Sequence, residues 1–362
     1  MAEPCPQPLT LAFSANLERA DVFFSLDSSL SMEGEIANLR TSLRDVVVPG
    51  VTAVIPDVWF GIGRFEDCND CTHNLVMLEP VTGDIARIEA ALHGMSDLCG
   101  GNEPYTQDLY AIATGDVTPF LEWGGVEPAS WTCTPPGEIG WPCFRRDAIP
   151  IIVQTSDESF VEALSACSPP VSHEQVIEAL NAISAKYIGV NSESSPHAGR
   201  ADMEIIAEGT GSVAASGDPL VFDIPADGSG LGTQIVGAIS TLSRNVPVDI
   251  TAVLTDDPSD DIDALVFIDH VEPDVDGGVA VPDDPGRICP ADLTVTDVDG
   301  DTVPDTFSSV LGSAVCFDVY LARNVTVPPI GEARVIGLTI DVVADGVTVL
   351  DSRNVILCIP GT

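Results

Sequence analysis

Val22, Phe23, Phe24 and Leu26 make a short apolar run that ends in Asp27. A run of this kind predicts a strand buried on both faces, as in a parallel sheet covered by helices. Ser29 and Ser31 follow at alternate positions. Glu35-Ile36-Ala37-Asn38-Leu39-Arg40 then has helical spacing. One carboxylate and two hydroxyls therefore sit on the loop at the carboxyl end of a strand, where open α/β sheets bind their ligands. Asp with Ser hydroxyls is a hard, all-oxygen set, suited to Mg²⁺ or Ca²⁺ rather than zinc. The plainer alternative is a Ser/Asp cap on an ordinary helix.

The same alternation of strand and helix continues along the chain. Pro8 to Leu17 reads as a strand, Ile36 to Val48 as an amphipathic helix closed by Pro49-Gly50, and Val58 to Phe65 as a strand with glycines where another segment approaches closely. Helices are predicted over Asp84 to Leu92, Gln107 to Thr114, Ser172 to Ala185, Ala201 to Glu208 and Gly230 to Arg244. Buried strands are predicted over Ala148 to Gln154 and Lys186 to Val190. This pattern implies a doubly wound parallel sheet. Between Thr118 and Arg146 lies a long loop rich in Trp, Pro, Gly and Cys, which Cys133 and Cys143 are placed to staple.

From Val246 the character changes to short alternating stretches broken by Pro, Gly and Asp. Val248 to Leu254, Ala264 to Val271, Ala314 to Leu321, Ala333 to Val343 and Val347 to Leu357 favour strand. An antiparallel β-sandwich is expected there. The expected organisation is residues 1–19 as an N-terminal strand belonging to the sandwich, 20–245 as the α/β domain and 246–362 as the sandwich. With 362 residues the chain is long enough for two cores.

Charge narrows the partners. The chain holds 56 acidic residues against 14 basic ones, a formal charge of −42, and a field of that sign repels nucleic acid and anionic membrane while favouring divalent cations. No apolar run is long enough to span a bilayer, so direct membrane insertion is not expected. The first residues show no signal-peptide pattern. The ten cysteines, an even count in loop-like contexts, predict disulfides and an oxidising, extracellular or cell-surface location. The five histidines form no H-x-x-x-H pair, and neither G-x-S-x-G nor a P-loop is present, so an enzyme is not expected.

The string Leu26-Asp27-Ser28-Ser29-Leu30-Ser31 resembles the metal-ion-dependent adhesion site of von Willebrand factor A domains. Its continuation Met32-Glu33-Gly34-Glu35-Ile36-Ala37-Asn38-Leu39-Arg40 is similar more narrowly to the I-like domain of integrin β subunits. Ile139-Gly140-Trp141, followed by Arg145-Arg146-Asp147-Ala148, resembles the I-G-W-R run those subunits carry before a later strand. The resemblance covers about Ala20 to Arg244. It implies that Asp27, Ser29 and Ser31 hold Mg²⁺ (or Mn²⁺), with Asp157 acting through water. It also implies a further ligand from the Asn102-Glu103-Pro104-Tyr105-Thr106-Gln107 loop, where the match departs from the family and either Glu103 or Thr106 qualifies. The final ligand is then an exposed Asp or Glu of a partner protein, and the family leaves room for an α-subunit-like partner. Flanking Ca²⁺ sites are implied at Glu35, where Gly34 stands in place of a second acid, and at Asp67 with Asn102.

Within the expected sandwich, Asp297, Asp299, Asp301 and Asp305 occupy positions 1, 3, 5 and 9 of a run that resembles thrombospondin type 3 and EF-like calcium loops. Thr302 stands at position 6, where glycine is usual, and strain in that turn is expected. One of Cys289, Cys316 and Cys358 is a candidate partner for Cys5. Function is expected to be metal-dependent adhesion at a cell surface. The rival is a structural, metal-stabilised component of a surface layer or appendage.

Overall fold

The computed structural model describes residues 9–67, 74–95, 104–123, 125–128, 132–133, 138–158, 169–192, 198–245, 247–310, 312–328 and 333–359. The protein is mixed α/β, with a mostly parallel central sheet and separate antiparallel sheets. The chain divides into two compact units, 18–246 and 1–17 with 247–362.

In the first unit seven strands form one sheet. Their order from edge to edge is Val126–Glu127, Leu75–Thr82, Asp57–Phe65, Arg19–Asp27, Ile149–Ser156, Lys186–Asn191 and Val221–Asp223. Neighbours are parallel except Asp57–Phe65 with Leu75–Thr82. The Arg19–Asp27 strand is central, and from Ala20 onward every residue is buried. Ile149–Ser156 and Lys186–Asn191 are buried throughout. Burial on both faces explains their unbroken apolar character, because helices cover a parallel sheet on each side.

The antiparallel strand Leu75–Thr82 was not expected from the sequence. Its burial does not alternate strictly, and its register shifts twice against Asp57–Phe65, so no clean period-2 pattern marks it. Gly61 and Gly63 answer the close approach expected on the partner strand. A Cβ at either would lie 2.8 Å from the Phe23 ring.

The first long helix also departs from expectation. It begins at Glu33, widens into a π segment over Leu43–Val47, and resumes as Val48–Thr52 rather than closing at Pro49. The wide turn lets Val48 N–H reach Leu43 O, and Pro49 falls in the first turn of the resumed helix, where it needs no donor. Gly50 faces the Leu231–Asn245 helix, and a Cβ there would lie 2.7 Å from the Val236 methyls.

The long connection after Thr114 is stapled by the Cys133–Cys143 disulfide. Trp141 is fully buried, and its backbone N–H bonds Ile112 O at 3.0 Å, pinning the loop to the end of the Tyr105–Thr114 helix. Arg145 is held by Asp21 (2.6 and 2.7 Å) and Asp57 (2.8 Å), with its guanidinium 4.4 Å from the Trp59 ring centre. Burial pushes the Asp21 carboxyl up to about 6, against the pull of Arg145.

The second unit holds a three-stranded antiparallel sheet of Leu9–Ser14, Ala314–Leu321 and Ile268–Pro273. It also holds a five-stranded one of Val295–Thr296, Thr306–Val310, Val248–Asp256, Arg334–Ala344 and Thr348–Ile359, and the short pair Ala280–Val281 with Asp284–Ile288. Phe307 of the larger sheet meets Phe317 of the smaller edge-on, ring centres 5.2 Å apart. Cys289 pairs with Cys316. Cys358 is exposed and in no disulfide among the described residues, and Cys5 lies outside them. The expected strand Ala264 to Val271 is a 3-10 turn, Ala264–Phe267, before the strand begins at Ile268. Asp263 caps that turn by accepting from Leu265 N–H.

Candidate metal centre

The site forms where the central strand runs out. Asp27 is the last residue of its strand and is fully buried. Its Oδ1 accepts from Ser29 N–H at 2.8 Å, and its Oδ2 accepts from the Ser156 hydroxyl at 3.0 Å and the Tyr105 hydroxyl at 3.4 Å. The Ser29 and Ser31 hydroxyls lie 3.0 Å apart. Neither the Leu30–Met32 turn nor the Glu33–Ser42 helix has a side-chain cap, so Asp27, Ser29 and Ser31 are not serving as helix caps. The three side chains are instead folded around one another above the strand end.

Burial pushes the Asp27 carboxyl up to about 7. The hydrogen bonds from Ser29 oppose that shift, and the charge of Asp157 adds to it. Asp157 follows Ser156 at the end of the adjacent strand, and its buried Oδ1 has no hydrogen-bond partner. Across the loop stands Glu35, buried in the first turn of its helix, with neither carboxylate oxygen in a formed hydrogen bond. Burial raises its pKa, Ser192 opposes the shift, and the charges of Asp157 and Asp227 reinforce it. Asp27 repels Asp157, Asp157 repels Glu35, and Asp157 Oδ1 and both Glu35 oxygens are left without a hydrogen-bond partner, so the cluster carries buried negative charge that its own hydrogen bonds do not compensate.

Thr106 is buried in the first turn of the Tyr105–Thr114 helix, its hydroxyl 3.0 Å from Gln107 Oε1. It is the immediate neighbour of Tyr105, which reaches Asp27. Asn102 and Glu103 lie outside the described residues. Asp67 is buried, and its backbone carbonyl accepts from the Asn74 amide. Glu66 beside it is already engaged by Arg64 and by the Ser28 hydroxyl at 3.1 Å.

Gly34 has a geometric reason. A Cβ there would lie 3.0 Å from Ala226 O and Asp227 C, and one at Gly228, whose φ is +70°, would lie 2.6 Å from Gly34 O. The 226–228 loop is packed directly on the helix start, so a second acid at position 34 would not fit. Asp227 arrives by that loop instead. Sequence reading missed Asp227, Ser156 and Tyr105 because nothing local ties them to Asp27 or Glu35. The one available signal was Ser156, a polar residue closing an otherwise apolar strand; Tyr105 lies in a helix and Asp227 in a loop.

In the other unit, carboxylate oxygens of Asp297, Asp299 and Asp305 all lie within 4.8 Å of one another. Asp301 is not in that group, and its carboxylate accepts from Val303 N–H at 2.8 Å. Asp297 accepts from Gly300 N–H (2.7 Å) and Thr302 N–H (2.9 Å), and Asp305 from the Thr306 hydroxyl (2.6 Å). Thr302 has φ +82°, a left-handed conformation that disfavours any residue with a Cβ.

No protein-family model and no curated protein matches the chain. Among solved structures, a von Willebrand factor type A protein from Catenulispora acidiphila is similar at a TM-score of 0.42 with 11% identity, over 98% of this chain and 69% of that one. Proximal thread matrix protein 1 from the mussel byssus is similar at a TM-score of 0.40 with 14% identity, over 67% of this chain and 51% of that one. What the site can do follows from its own residues.

Proposed function

We propose that the protein is a metal-dependent adhesion module of the cell surface. Asp27, Ser29 and Ser31 bind Mg²⁺ (or Mn²⁺), with Thr106 or Glu103 and, through water, Asp157 completing the protein's share. A bound Mg²⁺ with few anionic protein ligands supplies a Lewis-acidic position that prefers a carboxylate from outside. An exposed Asp or Glu on a partner protein fills it. The observation that carries this reading is Asp27 buried at the end of its strand, beside Asp157 Oδ1 and both Glu35 carboxylate oxygens, which are buried with no hydrogen-bond partner.

The finer parts of the reading follow the same chemistry. Glu35, with Asp227 facing it, is a flanking Ca²⁺ site, and Asp67 with Asn102 is the other. Asp297, Asp299, Asp301 and Asp305 are a Ca²⁺ loop on a β-sandwich. The α/β unit is of the integrin β I-like type, which leaves room for an α-subunit-like partner, and the module binds rather than catalyses. The disulfides Cys133–Cys143 and Cys289–Cys316 support an oxidising, extracellular setting. No described helix is long and apolar enough to cross a membrane.

A structural reading, in which the metal only rigidifies a surface-layer component, draws support from the bonds that tie Asp27 to two other elements. Calorimetric titration of chelator-stripped protein with Mg²⁺, wild type beside Asp27→Ala, separates them. For adhesion, the mutant loses one Mg²⁺ event, keeps its circular dichroism, and no longer captures carboxylate-bearing peptides. A structural metal raises the wild-type melting temperature with no peptide captured. Equal Mg²⁺ binding by both proteins removes the site altogether.

A further inference from the structure

One layer beneath the metal-site loops, a second set of polar groups is closed inside the core. Ser25 and Gln154 are direct register partners on adjacent parallel strands. Each lies two residues before a site residue, Ser25 before Asp27 and Gln154 before Ser156, so each points to the same face as that residue. That face is covered by the Tyr105–Thr114 helix. The Ser25 hydroxyl donates to Asp108 Oδ2 on the helix. Gln154 Nε2 donates to Tyr105 O at 3.4 Å, and the Tyr187 hydroxyl donates to Gln154 Oε1 at 2.9 Å. Asp108 N–H in turn bonds Pro104 O at 2.8 Å, closing the helix's first turn. Ser25, Gln154 and Tyr187 have no exposed surface, and Asp108 is only 2% exposed.

Such a network is an expensive way to fill a core, since apolar side chains of equal volume stabilise as well or better. What it does that apolar packing does not is fix relative position, because every member must keep its partner. It joins the three elements that carry the site: the strand of Asp27, the strand of Ser156 and Asp157, and the helix whose first turn holds Thr106.

We propose that Asp108, with Ser25 and Gln154, is the positioning device of the metal centre, holding the first turn of the Tyr105–Thr114 helix at the distance from Asp27 that divalent-cation binding requires. The inference rests on the Mg²⁺ site proposed above. None of these side chains touches the metal; each acts through the backbone of a ligand-bearing segment.

The test is Mg²⁺ titration of the full chain, with wild type, Asp27→Ala, Asp108→Ala, Asp108→Asn and Ser25→Ala compared at a temperature where circular dichroism shows all to be folded. Removing an outer-shell partner of a metal site costs roughly 10–100-fold in affinity. Asp108→Ala is expected to weaken Mg²⁺ binding by that factor. Asp108→Asn, which keeps an acceptor for the Ser25 hydroxyl, is expected to recover most of it. Ser25→Ala should weaken binding in the same direction, and it carries the test if Asp108→Ala does not fold. A merely structural network would lower the melting temperature and leave the Mg²⁺ affinity of the folded protein unchanged; that result, or an Asp108→Asn as weak as Asp108→Ala, overturns the proposal. Wild type that shows no Mg²⁺ event lost in Asp27→Ala refutes the metal site itself, and the positioning role falls with it.

Discussion

The two acidic clusters are built in opposite ways. At the carboxyl end of the central strand, Asp27 is fully buried and bonded on both oxygens, while Asp157 Oδ1 and both carboxylate oxygens of Glu35 are buried with no hydrogen-bond partner. In the loop 297–305 the carboxylates are mostly exposed and satisfied by their own backbone, as Asp297 is by Gly300 and Thr302. Desolvation makes the first cluster depend on a cation or a proton, whereas the second is already stable in water. Acid count alone therefore says little about a metal site; the state of the oxygens before the metal arrives says more.

The sharpest way to break this comparison is to cross the two clusters. Asp27→Ala should abolish a Mg²⁺ event and leave Ca²⁺ binding at the loop unchanged. Asp297→Ala should do the reverse, with heats small throughout. If Asp297→Ala also removes the Mg²⁺ event, the division between the clusters is wrong.

A pH series sharpens it next. In the metal-free protein the Asp27 and Asp108 carboxyls are raised to about 7 and Asp21 to about 6, in each case chiefly by burial. A raised carboxyl binds more protons folded than unfolded between about 4 and its folded value, so it stabilises the fold at low pH and that stability is lost as pH rises through the folded pKa. The chelated protein should melt higher at pH 5 than at pH 8, by about 5 °C or more by scanning calorimetry. Mg²⁺ affinity should move oppositely, falling about tenfold per unit below pH 7 because the metal must displace the Asp27 proton. A flat Mg²⁺ profile would mean that Asp27 is not a ligand.

Gly228→Ala tests the packed loop behind Glu35. The φ of +70° and the contact with Gly34 O leave no room for a methyl group, and a loss of roughly 1–3 kcal/mol is expected in a denaturant titration. The smallest effect belongs to the exposed loop. Thr302→Gly removes the cost of a left-handed residue and should stabilise the second unit by about 1 kcal/mol. An unchanged midpoint would show that the turn is not strained.

Much of the α/β fold was legible because its signals are local. The apolar run before Asp27, the runs at Ile149–Ser156 and Lys186–Asn191, and the helical spacing from Ser172 each reveal an element within a few residues. The Leu75–Thr82 strand was not legible, because its burial follows a neighbour's shifted register rather than its own alternation. Pro49 misled for a related reason: a π turn upstream changed which amide needed a partner. In the second unit, three cysteines stood open as partners for Cys5 until Cys289 and Cys316 were seen to pair.

The sequence by itself determined the apolar strand, the carboxylate at its end and the hydroxyls beside it, because those depend on the order of neighbouring residues. Tertiary structure alone decided that Ser156 and Tyr105 bond Asp27, and that the 226–228 loop packs on Gly34 and Glu35 and brings the charge of Asp227 to bear on Glu35. It alone decided that Ser25, Asp108 and Gln154 meet beneath the site. The hydrogen-bonded pairs among them are 49 to 129 residues apart in the chain. Only the alignment of parallel strands under one helix brings them within hydrogen-bonding reach.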